Sequence, residues 1–332
     1  MPDDLAKLAV AKQAVGAQAG HVGAIKAGLA VFWSQPNTES IYEEISRRAA
    51  ANPAAWSGSL DVNDRLWLVD KVATMAIYGE RLVILDQQGS WLKVAAIAQP
   101  FKLNEPGYPG WILVDQVCSN SAYLTTPPGS PEAVVSVPET ALCSNSALSK
   151  ELGRLSYQTR LPILTESENF LKVRLPDGDL GYLSRREAKK TTELFFSHQN
   201  IVQEARRFLD LRYLWGGASS WGFDCSGFTF RLYQSQGITI PRDASEQAQA
   251  GIPVAEADLQ PGDLLFFAAR EHAKNHCQAA IHHVGMYIGQ SLMCHSPNSQ
   301  SAIRIEPFDA GVYGSEFWGA RRYQSPLINA KT

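Results

Sequence analysis

Tyr213-Leu214-Trp215-Gly216-Gly217, followed by Phe223-Asp224-Cys225-Ser226-Gly227-Phe228, reads as a glycine-loosened loop that delivers a cysteine onto the first turn of a helix. Beyond Cys225 the apolar residues Phe228, Leu232 and Tyr233 recur at helical spacing, and Gln236-Gly237 is a stop in which Gly237 serves as the C-terminal cap. A cysteine at a helix N-terminus faces unpaired N–H groups and the positive end of the helix dipole. Both favour thiolate over thiol, so the pKa of Cys225 is expected to fall below the free value of about 8.5, which would make it a nucleophile. A lone cysteine is otherwise inert packing. The residues that decide between the two readings lie downstream, at His283 and His295.

Two apolar runs after the helix read as strands, Asp263-Leu264-Leu265-Phe266-Phe267 and His283-Val284-Gly285-Met286-Tyr287-Ile288-Gly289. A third, Ser291-Leu292-Met293-Cys294-His295, follows a turn at Gly289-Gln290. If the last two form a hairpin, His283 and His295 fall on adjacent strands near one end, with neighbouring side chains. A thiol nucleophile needs a base and a group that orients the base. The expectation is that His283 pairs with Cys225 and His295 fixes the tautomer of His283. A helix carrying the cysteine and an antiparallel sheet carrying the histidines is an α+β arrangement, preceded by an amphipathic helix over Ile201 to Leu209.

Upstream, short apolar runs alternate with turn signals at intervals of roughly ten residues, the spacing of a small β-barrel. Gly28-Leu29-Ala30-Val31-Phe32-Trp33 reads as a strand, and Thr38 opens a capped helix running to about Ala51, ahead of Pro53. From residue 78 a repeat is visible. Tyr78-Gly79-Glu80-Arg81-Leu82-Val83-Ile84-Leu85 returns 79 residues later as Tyr157-Gln158-Thr159-Arg160-Leu161-Pro162-Ile163-Leu164, and Trp91-Leu92-Lys93-Val94 returns as Phe170-Leu171-Lys172-Val173. In this ungapped window 8 of 17 positions are identical, so two barrels of one kind stand in tandem. Copy one has eight extra residues before its closing glycine, carrying Pro106-Gly107-Tyr108-Pro109, and has Glu80 where copy two has Thr159. Loops on rigid scaffolds carry function, so Glu80 and Tyr108 are candidate site residues. The expected divisions are a lead-in over 1–25, a first barrel with a helical insertion over 26–118, a linker and second barrel over 119–190, and a third domain over 191–332. Thr125-Thr126-Pro127-Pro128-Gly129-Ser130-Pro131 reads as the linker.

The chain has 332 residues, with 45% hydrophobic and 19% charged residues and a net charge of −3. Nothing in that balance points to nucleic acid or an anionic membrane surface as partner, and no apolar run reaches membrane-spanning length. Five widely spaced cysteines are not a disulfide framework and fit a reducing compartment. The alanine-rich start is broken by Lys7, Lys12 and Lys26 and lacks the apolar core of a secretory signal. The expected location is therefore the cytoplasm.

The joint pattern carries a resemblance. Asp-Cys-Ser-Gly-Phe after a Tyr-x-Trp-Gly-Gly loop, then Pro-Gly-Asp-Leu-Leu-Phe-Phe, then His-Val-Gly-Met-Tyr-Ile-Gly, resembles the NlpC-type, papain-like cell-wall cysteine peptidases over Leu194 to about Tyr323. The tandem repeat resembles bacterial SH3-like barrels, and the whole arrangement is similar to the YkfC-like subgroup. That resemblance implies hydrolysis of the bond between γ-D-glutamate and a diamino acid in murein peptides with a free N-terminal L-alanine, without a cofactor. It implies Cys225 as nucleophile, His283 as base and His295 as orienting third member. Tyr213, Asp224 and Ser226 would contact substrate, Asp243 would hold the peptide amine, and Glu80 and Tyr108 would close the far end of the cleft. Rival readings are a non-catalytic wall-peptide binder and a secreted hydrolase of intact wall. His272, His276, Cys277 and His282 lie in a long segment between strands. A zinc site there lacks a paired Cys-x-x-Cys, and a polar insertion at the cleft rim is preferred.

Overall fold

The tandem repeat folds into two antiparallel seven-stranded sheets with one shared strand order, in a computed structural model that describes residues 19–37, 39–104, 106–127, 130–274 and 281–323. The first holds β1 (Val22–Ile25), β2 (Leu29–Trp33), β3 (Val72–Ile77), β4 (Arg81–Gln88), β5 (Trp91–Ala96), β6 (Tyr108–Leu113) and β7 (Val117–Cys118), in the order β3-β2-β6-β5-β4-β1-β7. The second holds β8 (Glu132–Val135), β9 (Glu139–Cys143), β10 (Glu151–Ser156), β11 (Arg160–Glu166), β12 (Phe170–Arg174), β13 (Leu180–Ser184) and β14 (Ala188–Lys190), in the order β10-β9-β13-β12-β11-β8-β14. Strand for strand the two orders coincide. Their cores coincide as well. Leu82, Leu92 and Val94 are fully buried in one, and Leu161, Leu171 and Val173, each 79 residues on, are fully buried in the other. Each such side chain contributes about 1.5–3 kcal/mol of apolar transfer, so the repeat is chiefly a repeat of core positions.

Two details differ from the sequence reading. The first sheet takes in Val22–Ile25, ahead of the boundary placed at residue 26, because Ala24 and Ile25 are both buried in cores. The helix after β2 runs Ser40–Ala51 with Glu39 at its N-cap and no side-chain cap bond; Thr38, the expected start, lies outside the described residues. Two further helices, Pro53–Ser59 and Val62–Trp67, complete the insertion between β2 and β3. Asn52 caps the first of them by accepting from the Ala55 N–H, with Pro53 at the position where a missing N–H costs nothing.

Two units separate by their internal contacts, the first dominated by the barrels and the second by the residues from Leu194 onward. In the second unit the helix His198–Arg206 is capped by Ser197, and the helix Cys225–Gln234 begins with the candidate nucleophile. A short ladder of β15 (Ala218–Ser219) and β16 (Gly222–Phe223) precedes it. The antiparallel sheet comprises β17 (Ile252–Val254), β18 (Leu264–Ala268), β19 (Ile281–Gly289), β20 (Leu292–His295), β21 (Arg304–Pro307) and β22 (Phe317–Arg322), ordered β17-β22-β18-β19-β20-β21. Asp263, in the Pro-Gly-Asp motif, is buried in a two-pronged ion pair with Arg322, at 2.8 and 2.7 Å, which ties the start of β18 to β22. The architecture is α+β, with SH3-like barrels ahead of a papain-like domain.

Candidate active site

Cys225 is the first residue of its helix because Asp224 caps it. The Asp224 carboxylate accepts the Gly227 N–H at 2.6 Å, with the cap residue in extended conformation. Gly227 is glycine by necessity: a Cβ there would lie 2.1 Å from the Gly217 carbonyl oxygen. The loop is laced to its neighbours by Leu214 N–H to Phe223 O, Asp224 N–H to Gly217 O and Tyr213 N–H to Ser301 O. Ser296, next after His295, donates to the Phe223 carbonyl at 2.8 Å. That bond ties the end of β20 to the chain just before the nucleophile. The Val284 N–H, adjacent to His283, acts to favour the Cys225 thiolate.

The two histidines meet across a hairpin. Gly289 pairs with Leu292, and the two residues between, Gln290 and Ser291, both have positive φ, 55° and 57°, as a two-residue type I′ turn requires. Met286 pairs with Cys294, so His283 and His295 are diagonal neighbours on one face. Gly285 leaves the room between them. A Cβ on it would stand 3.2 Å from the His295 Cβ and 2.8 Å from the Met293 sulfur. His283 Nε2 then lies 2.7 Å from His295 Nδ1. His295 Nε2 lies 2.6 Å from Glu306 Oε1 on β21, and Arg304 Nε donates to that same oxygen at 2.8 Å. Tyr313 lays its ring against both imidazoles, 5.6 Å from His283 and 5.1 Å from His295, with Phe267 behind it.

The charges of this cluster differ from the sequence expectation. Burial, reinforced by the neighbouring Asp224 carboxylate, pushes the Cys225 thiol up to about 12. The Val284 and Ser226 N–H groups and Arg242 act in the opposite sense and are outweighed. Burial, then His295, His282 and Arg304, hold His283 well below its ordinary value, and burial with Arg304 brings His295 down to about 3. A carboxylate 2.6 Å from His295 would ordinarily raise it, but Glu306 shares that oxygen with Arg304. Taken singly, both shifts favour the uncharged forms, thiol for Cys225 and neutral imidazole for His283. The helix terminus is legible in sequence; the desolvation that overrides it is not. Alkylation of the free enzyme by iodoacetamide should accordingly rise at Cys225 by about tenfold per pH unit from pH 6 to 9, tracking the thiolate fraction. Peptide mass mapping reads the rate, and a plateau below pH 7 would reveal a preformed thiolate–imidazolium pair instead.

The structure places Tyr213, Asp224, Ser226 and Asp243 in the same unit as Cys225. Tyr213 is buried and lies close enough to Cys225 and Asp224 for their charges to raise its phenol pKa further, beyond the effect of burial. Asp224 and Ser226 are also engaged by Arg242, which is 1% exposed. Its Nη1 reaches Asp224 Oδ1 and Ser226 Oγ, both at 3.0 Å, and its Nη2 reaches Asp224 Oδ2 at 2.7 Å. Asp243 follows at the N-cap of the helix Ala244–Ala250, half-buried and without a side-chain cap bond. Glu80 and Tyr108 stand in the first unit. Glu80 accepts from Gln99 Nε2 at 3.0 Å, and Tyr108 opens β6 opposite Ala96. Sequence reading assigned no role to Arg242, Glu306 or Tyr313. Arg242 sits beside Asp243 in a stretch already singled out, but its burial has no sequence signal, and Arg304-Ile305-Glu306 alternates like any solvent-facing edge strand. His276 and Cys277 lie outside the described residues; among the described residues no group of three or more His, Cys, Asp or Glu is placed to hold a metal ion.

A thiol at a helix start, with a buried imidazole chain behind it on an antiparallel sheet, defines a papain-like cysteine hydrolase. Residues 210–322 match the NlpC/P60 family and residues 135–190 match the YkfC SH3b2 domain. Along almost its whole length the chain is similar to the γ-D-glutamyl-L-lysine dipeptidyl-peptidases of Bacillus cereus, 36% identical over 90% of both chains, and Bacillus subtilis, 31% identical over 89% of this chain and 96% of the relative. A crystal structure of an NlpC/P60 family protein from Bacillus cereus superposes with a TM-score of 0.83 at 33% identity, covering 92% of this chain and all of that one. The chain belongs to the NlpC/P60 family of cysteine-type hydrolases, in the group that carries YkfC-type SH3-like domains.

Proposed function

We propose that this protein hydrolyses the amide between γ-D-glutamate and the diamino acid of murein peptides whose N-terminal L-alanine is free. The observation that carries the chemistry is the carboxylate–imidazole–imidazole chain of Glu306, His295 and His283, in the unit where Cys225 starts a helix. The near full-length likeness to γ-D-glutamyl-L-lysine dipeptidyl-peptidases supports the substrate class. In the reaction, the Cys225 proton passes to His283 as sulfur bonds the γ-carbonyl carbon. N–H groups of the helix's first turn stabilise the oxyanion. His283 returns the proton to the departing amine as the C–N bond breaks, leaving a thioester. Water, deprotonated by His283, then attacks the thioester, releasing L-Ala-γ-D-Glu and restoring the thiol. His295 holds the base without touching substrate, and Tyr213, Asp224 and Ser226 line the acyl side. The peptide's ammonium is given to Asp243, which stands in the same unit as Cys225. The free cysteines Cys118, Cys143, Cys225 and Cys294 are in keeping with action in a reducing compartment, the cytoplasm.

The test is incubation with L-Ala-γ-D-Glu-L-Lys and its diaminopimelate counterpart, with products read by mass. A charge-assisted contact to the ammonium is worth roughly 1.5–3 kcal/mol. Acetylating the L-alanine, or Asp243→Asn on the free peptide, should therefore lower kcat/KM by about ten- to a hundredfold. Equal rates on acetylated and free peptide would remove the amine from the recognition and make intact wall the better substrate.

A further inference from the structure

We infer that Glu306 is a positioning residue that sets the proton inventory of the catalytic base, so that the nitrogen His283 offers to Cys225 is Nδ1 with its lone pair free. The inference deepens the cysteine-hydrolase reading. It follows from counting donors along three contacts. Glu306 Oε1 stands 2.6 Å from His295 Nε2 and also accepts from Arg304 Nε at 2.8 Å. A carboxylate accepts and does not donate, so the His295 proton is on Nε2. His295 is fully buried and neutral, hence its Nδ1 carries a lone pair and can only accept. The partner of that lone pair at 2.7 Å is His283 Nε2, which must therefore be the protonated nitrogen of the second ring. His283, also neutral, is left with an unprotonated Nδ1. Without Glu306 nothing among these contacts chooses between this arrangement and its mirror, in which His295 donates from Nδ1 to His283 Nε2 and His283 carries its proton on Nδ1. The mirror arrangement cannot take the thiol proton at Nδ1. Arg304 has a part in this as well, since its Nε–H and that of His295 converge on one atom, which only an oxygen can satisfy.

Two substitutions separate acceptor chemistry from charge. In Glu306→Gln the two converging donors select the amide oxygen over the amide nitrogen, so the tautomers and most of the activity should be kept, within about threefold in kcat. In Glu306→Ala the acceptor is lost, and kcat should fall by about ten- to a hundredfold with KM little changed. Two-bond 1H–15N correlations of the imidazoles read the protonated nitrogen directly, independently of turnover. The wild type should show Nε2–H on both rings, Glu306→Gln the same, and Glu306→Ala a population with Nδ1–H on both. Wild-type rings protonated at Nδ1 would overturn the inference, with no variant required. So would a Glu306→Ala protein with unchanged kcat, or Glu306→Gln and Glu306→Ala proteins equally slow with unaltered tautomers. Because the tautomers are observed without substrate, a protein inactive on murein peptides would still answer the question.

Discussion

Cys225→Ala is expected to abolish hydrolysis, lowering kcat by about 10⁴-fold or more, the scale set by deleting the nucleophile of a catalytic triad. The size of the loss follows from how isolated this thiol is. Cys118 has its sulfur against the Pro176 carbonyl in the barrel unit, and Cys143 and Cys294 are buried. Among the described cysteines none can stand in for it. Structural cost should be small. Cys225 is half-buried, its helix is held by the Asp224 cap rather than by the sulfur, and alanine is a good helix former. The measurement is turnover of the free tripeptide beside a thermal melt. A protein with a normal melting temperature and more than a hundredth of wild-type kcat would show that another group performs the attack.

Arg242→Met should be the most damaging change to the fold of the second unit, about 3–5 kcal/mol, because it strands a buried carboxylate. Asp224 is 8% exposed, and both its oxygens are held by the Arg242 guanidinium. A lysine could not replace the fork, being a single point charge. The remaining Gly227 N–H and Ser226 hydroxyl cannot neutralise the carboxylate. Adding Asp224→Asn to Arg242→Met removes the stranded charge while keeping a side-chain oxygen for the helix cap, so the double variant should recover part of the loss. Denaturant midpoints of the wild type, both single variants and the double variant form the cycle. Arg242→Met lying within about 1 kcal/mol of wild type would mean that the pair is solvated enough to be dispensable.

What the sequence disclosed follows from the range over which each feature acts. The helix at Cys225 and the hairpin from His283 to His295 are local, and their periodicity and turn residues are written in consecutive positions. The barrels were legible through copying, since Leu82, Leu92 and Val94 recur at a fixed offset. The strands β7 and β14, two and three residues long, carry no periodicity of their own and emerge only from pairing with β1 and β8. Glu306 reaches His295 because β20 pairs with β21 across an irregular loop whose register no pattern announces. Arg242 reads as a surface charge until its burial is known. The pKa of Cys225 went the other way from expectation for the same reason: a helix terminus is a local property, and desolvation belongs to the whole fold.

The turn at Gln290-Ser291 has a genetic consequence. Its contribution to the site is a matter of spacing, since neither side chain enters the imidazole chain and both positions need only reach positive φ. Substitutions there, asparagine and glycine above all, leave His283 facing His295. A gained or lost codon acts on register instead, because side chains alternate sides along a strand, and a shift of one residue that no bulge absorbs turns His295 to the opposite face of the sheet from its partner. At this place in the gene, length changes should therefore cost more catalysis than substitutions compatible with positive φ, which turnover of single-codon insertions beside Gln290→Asn and Ser291→Gly would measure.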